Sequence, residues 1–105
     1  TAHGEIMAVR DACKTLGTFD LSGCTVYTNS EPCPMCRAAL CWAKADRVVY
    51  SSTVREAREI AGFKDPDMYE SLREGGDLIP SVRIKTEGYL EPFEEYRKMK
   101  GPVYG

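Results

Sequence analysis

Cys33 and Cys36 stand three residues apart in Pro32-Cys33-Pro34-Met35-Cys36. Just before them, Ser30, Glu31 and Pro32 read as a helix start: a capping hydroxyl, an acid and a proline in the first turn. Side chains at that spacing share one helix face, and the electropositive helix start favours thiolates. Any fold that keeps this segment presents two sulfurs together at one helix end. His3 opens another helix and can bring a nitrogen to them. Zinc takes thiolate and imidazole ligands in a tetrahedron. Three protein ligands leave the fourth position to water, as in catalytic zinc sites, whereas structural sites are closed by four. Cys24 and Cys41 are poor fourth ligands, because Cys24 opens a strand and Cys41 lies five residues past Cys36, off its face. A redox Cys-x-x-Cys after a strand is the rival reading, but it leaves His3 and Glu5 without a role.

Glu5 follows His3 by two residues. It is near enough to face a metal-activated water without ligating the metal. Zinc lowers the pKa of water toward neutrality, and a neighbouring carboxylate can move a proton from that water to a leaving amine. Hydrolytic deamination needs those two events: hydroxide attack on an amidine-like carbon, then protonation of departing ammonia.

Around these residues, elements alternate. Residues 5–15 carry the three–four apolar spacing of a helix, with Gly17 as its stop. Residues 24–28 are β-rich and predict a strand. A helix is expected from about 30 to 43, a buried strand at 47–51, and a helix at 54–60 broken by Gly62. A short helix at 67–73, an alternating strand at 82–86, a last helix at 92–99 and a tail from about 100 to 105 complete the chain. Alternation of this kind predicts a layered α/β domain with helices on both sheet faces. Its 105 residues suit one domain, 1–105. Three strands make a narrow sheet, so further strands are expected on the N-terminal side.

The formal net charge of −2 offers no basic footprint for a nucleic-acid backbone and weighs against such a partner. No apolar run approaches the roughly 20 residues that span a bilayer, so no membrane partner is expected. The opening Thr1-Ala2-His3-Gly4-Glu5 has neither secretory character nor an initiator Met, which suggests an N-terminally incomplete domain. Five cysteines, an odd number without a secretion signal, argue against a disulfide framework and for a reducing cytoplasmic setting. Cys13, Cys24 and Cys41 are expected as small buried hydrophobes.

His3-Gly4-Glu5 followed by Tyr27-Thr28-Asn29-Ser30-Glu31-Pro32-Cys33-Pro34-Met35-Cys36 resembles the cytidine and deoxycytidylate deaminase superfamily. Within it, the chain looks most like the branch of bacterial guanine deaminases and tRNA adenosine deaminases. Gly4 stands where many relatives carry Ala. The resemblance implies a three-layer α/β/α cytidine deaminase-like fold with a five-stranded mixed central sheet. It implies Zn2+ held by His3, Cys33 and Cys36, with Glu5 as the proton shuttle. It also implies a helix and a β-hairpin ahead of the His-x-Glu helix, which this sequence lacks.

The second half resembles the guanine deaminases. Ala61-Gly62-Phe63-Lys64-Asp65 followed by Tyr69 matches one of their segments, and Tyr89-Leu90-Glu91-Pro92-Phe93 another. By that resemblance Asp65 hydrogen-bonds the purine. Tyr104, in a tail that crosses to a second subunit, closes the partner's site in a domain-swapped homodimer. Trp42 falls where an aromatic lines the pocket. From the residues alone other roles stay open: Asp65 as a helix cap before Pro66 and Asp67, Trp42 as packing, Tyr104 as a loose terminus, Asn29 in a turn. The function expected is hydrolysis of guanine to xanthine and ammonia. A tRNA adenosine deaminase, a cytosine deaminase and a non-catalytic zinc module are the alternatives, and Glu5 argues against the last.

Overall fold

The computed structural model describes residues 1–65, 68–75 and 79–103. Helix α1, Gly4–Leu16, ends at Gly17, whose φ of 66° closes the helix in the left-handed region that costs any residue with a Cβ. A turn through Leu21 leads to β1, Thr25–Tyr27. Helix α2, Pro34–Trp42, then carries the chain to β2, Arg47–Val49. The strands run parallel with Val26 opposite Val48. Parallel neighbours cannot be joined by a tight turn, and α2 supplies the crossover they need. Beyond the strands the pairing continues through a Ser30–Ser52 bridge and the Glu31 N–H, which donates to the Ser52 carbonyl at 2.7 Å.

Packing of α1 on α2 makes a small core of Leu21, Pro32, Cys36, Leu40 and Ala43. The Leu21 N–H donates to the Ala43 carbonyl at 2.7 Å, and Asp46 accepts from the Gly23 N–H at 2.8 Å. Both bonds tie the C-terminal end of α2 into the unit. Helix α3, Val54–Ala61, starts on a reciprocal capping box between Thr53 and Glu56. Helices α4, Met68–Arg73, and α5, Glu91–Met99, follow. No helix among the described residues is long and apolar enough to cross a membrane.

The architecture is α/β, with five helices and a two-stranded parallel sheet among the described residues. The five-stranded mixed sheet expected from the resemblance is not formed by them. Residues 82–86 form no strand: Val82 is 85% and Ile84 77% exposed. Alternation makes a strand only where an edge accepts its hydrogen bonds, and this segment meets none. The chain is correspondingly extended, with a radius of gyration of 17.8 Å against about 13 Å for a compact domain of this length. The second helix also starts later than expected, at Pro34 rather than near Ser30. Pro32 and Pro34 hold the residues before them out of the helical region, so Cys33 stays extended at φ −66°, ψ 168°. The three remaining cysteines are less buried than expected: Cys13 and Cys24 are half-buried and Cys41 is exposed.

Candidate metal centre

Two helix starts meet here. His3 occupies the N-cap of α1, but its side chain caps nothing in that helix. It turns instead toward α2, whose N-cap is Cys33. Because Pro34 keeps Cys33 extended while Cys36 is already helical, both sulfurs reach one point. The Cys36 N–H donates to Cys33 Sγ at 3.4 Å, which aims the positive end of α2 at the same place.

His3 Nδ1 lies 3.6 Å from Cys33 Sγ and 3.5 Å from Cys36 Sγ. Zinc–nitrogen and zinc–sulfur bonds of ordinary length at a tetrahedral angle set donors about 3.6 Å apart. The three donor atoms all lie within 4.8 Å of one another, so they fit a zinc ion without rearrangement. Glu5 is not a member of that group. Its Oε2 accepts from Cys36 Sγ at 3.6 Å, which puts a carboxylate beside the ligand set and outside it.

The thiol of Cys36 reverses one expectation. Burial, then the neighbouring Cys33, then Glu5 push its pKa up to about 12, so the helix terminus does not by itself free the thiolate. Cys36 is fully buried, and a second sulfur, from Cys33, and the Glu5 carboxylate converge on it. A dication relieves that repulsion and displaces the thiol proton, as metal binding to thiols does. The donor set is therefore built to be completed by zinc.

The other residues singled out in the sequence lie elsewhere. Trp42 ends α2, nine residues long, about 13 Å along the axis from its start. It is 73% exposed and borders a cavity of about 300 Å³ with Phe19 and Val103. Asp65 is exposed in the loop after α3, and among the described residues no hydrogen bond ties it to the metal centre. Tyr104 lies outside the described residues, as does Asp67, where the short helix was expected to begin. The backbone carbonyl of Asn29 accepts from the N–H groups of Ser51 and Ser52, a structural task between the strand ends. A groove of about 670 Å³ is lined by Glu31, Arg37, Tyr50, Arg58, Tyr69 and Arg73 among others, and by none of the metal-centre residues. Its Glu31, Arg37 and Tyr69 gave no signal in the sequence as partners, since 32 residues separate Arg37 from Tyr69.

Among zinc sites, three protein ligands with a carboxylate alongside is the hydrolytic arrangement. Fold and centre together thus define a zinc-binding α/β domain of the hydrolytic kind. The cytidine and deoxycytidylate deaminase zinc-binding region matches residues 1–52, which span the whole ligand set. The crystal structure of guanine deaminase from Bacillus subtilis superposes with a TM-score of 0.84 at 37% identity, covering 99% of this chain and 68% of that one. The chain belongs to the cytidine and deoxycytidylate deaminase family. In sequence it is 39% identical to guanine deaminase of Bacillus subtilis over 99 residues, 92% of this chain and 63% of that protein. It is 36% identical to a tRNA-specific adenosine deaminase of Haemophilus influenzae over 105 residues, 95% of this chain and 61% of that protein. The chain thus spans a little over three fifths of these relatives.

Proposed function

We propose that this domain hydrolyses the exocyclic amino group of a nucleobase, with guanine as substrate: guanine and water give xanthine and ammonia. The observation that carries the choice of base is the likeness to a guanine deaminase along nearly the whole chain. It extends through Ala61-Gly62-Phe63-Lys64-Asp65, well beyond the zinc-binding region. A net charge of −2 also suits a small base better than an RNA backbone.

His3, Cys33 and Cys36 hold the zinc. Zinc at that position supplies Lewis-acid chemistry and brings the pKa of water toward neutrality. Glu5, first-turn neighbour of His3 and hydrogen-bond partner of Cys36, takes the proton of the attacking water and gives it to the departing amine. Asp65 accepts hydrogen bonds from the purine edge. Trp42, which ends the helix that begins beside Cys33, lines the pocket in this reading. Tyr104 acts across a homodimer in this reading, where the tail of one copy closes the site of the other. A cytoplasmic enzyme of purine breakdown is the setting this chemistry suits.

Likeness to tRNA-specific adenosine deaminases supports a second reading, a base presented by a tRNA loop. Ammonia release from guanine, cytosine, adenine and a tRNA anticodon stem-loop, measured side by side, separates the two. Release from guanine alone is expected. Release from the stem-loop alone overturns the free-base reading and keeps the deaminase.

A further inference from the structure

Tyr69, on α4, has no part in the reaction as drawn, yet it reaches the ligand loop. Its hydroxyl donates to the Pro32 carbonyl at 2.6 Å and accepts from Arg37 Nε at 3.1 Å. The Arg37 guanidinium lies 6.0 Å from the Tyr69 ring centre, and its Nη2 approaches Glu31 Oε2 at 3.5 Å. The other oxygen of Glu31 accepts from the Val54 N–H at 3.0 Å. A closed path of bonds therefore runs from the start of α3 through Glu31, Arg37 and Tyr69 back to Pro32.

Pro32 is among the fully buried residues, and a buried carbonyl needs a hydrogen-bond partner. That carbonyl belongs to the peptide that enters Cys33. Fixing it sets the plane from which the Cys33 side chain departs, and so the position of Sγ. Glu31 holds the same loop from the opposite side, through its N–H to Ser52. Before Pro34 the loop has no helical bonds of its own; the Glu31 side is held by β2 and α3, and the Pro32 carbonyl by Tyr69.

We infer that Tyr69, steadied by Arg37, is a positioning residue of the metal centre: its bond to the Pro32 carbonyl holds Cys33 at zinc-binding distance from His3 and Cys36. The inference rests on the zinc reading of that cluster. Groups that orient metal ligands typically change metal affinity ten- to a hundredfold when removed.

The test compares the chain itself with Tyr69→Phe, Arg37→Lys and, as a control, Tyr27→Phe on the exposed face of β1. Zinc dissociation constants come from chelator competition, the cobalt(II) spectrum reports thiolate coordination, and melts of the metal-free proteins report the fold. Tyr69→Phe is expected to weaken zinc about tenfold or more and to lower the cobalt–thiolate absorption. Arg37→Lys gives a smaller loss, and Tyr27→Phe none. Zinc binding by Tyr69→Phe within about twofold of the parent, with only a lower melting temperature, overturns the inference and leaves Tyr69 a structural strut. Should Tyr69→Phe fail to fold, Arg37→Lys decides, and unchanged affinity there overturns the inference equally. Failure of the parent chain itself to bind zinc overturns the metal reading, and the inference falls with it.

Discussion

In residues 1–61 every element leans on another: β1 pairs with β2, α2 crosses between them, α1 packs on α2, and α3 is tied to the ligand loop through Val54 and Glu31. Among the described residues from 62 to 103 the helices and the extended segment stand largely in solvent. Phe63, Leu72, Ile79, Val82, Ile84 and Phe93 are all exposed. Burying side chains of that size contributes about 1.5–3 kcal/mol each, and this part of the chain gains little of it. The bond from Tyr69 to Pro32 is the clearest link between the two regions. The metal centre therefore belongs wholly to the self-supporting region. Of the residues proposed for substrate, Trp42 lies in the first region and Asp65 in the second. The difference teaches that the metal ligands sit in the part of the chain that packs on itself, while Asp65, proposed for the base, sits in a part that buries little.

The sharpest way to break that division is to remove a ligand. Cys36→Ser is expected to take bound zinc from about one per chain to essentially none, by metal analysis, and to abolish turnover. Zinc retained in full by that variant shows that the centre lies elsewhere. Glu5→Gln is expected to keep its zinc while kcat falls by about 10²–10⁴. Unchanged turnover with zinc in place removes the shuttle. Hydrogen exchange tests the two regions directly. Amides of α2 and the strands should be protected to near the global stability, while those of residues 79–103 exchange with opening free energies near zero. Equal protection means the second region is covered in solution. Asp65→Ala should leave zinc content alone and lower kcat/KM for guanine about ten- to a hundredfold, the cost of one hydrogen bond to a charged group. An unaffected kcat/KM takes Asp65 out of the site.

The smallest expected effect is one of pH. In the metal-free chain the folded Cys36 thiol, at about 12, holds its proton more tightly than the ordinary thiol value of 9.0 expected when unfolded. A raised folded pKa contributes stability that is full below the unfolded value and lost as pH climbs through the folded one. Melts of the metal-free protein should therefore fall from about pH 9 upward. Zinc affinity should move the opposite way over neutral pH, rising as protons leave the thiols. A metal-free melting temperature that rises above that pH contradicts the burial of Cys36.

What the sequence determined by itself is what local spacing controls. Five helices are readable because a helix satisfies its own backbone bonds and announces its ends, as with Gly17 and the Thr53–Glu56 box. The pairing of Cys33 with Cys36 follows from three residues of helix. His3 with Glu5 completes a pattern whose chemistry only zinc explains. Tertiary structure alone decided the rest. A strand exists only against a partner edge, so the alternation at 82–86 says nothing of whether one is within reach. The same holds for the thiol of Cys36: a helix terminus favours its ionisation, but burial beside Cys33 and Glu5 opposes it more strongly. Tyr69 meets Pro32 across 37 residues of chain. Such a contact depends on where α4 comes to rest, and no periodicity in the sequence encodes it.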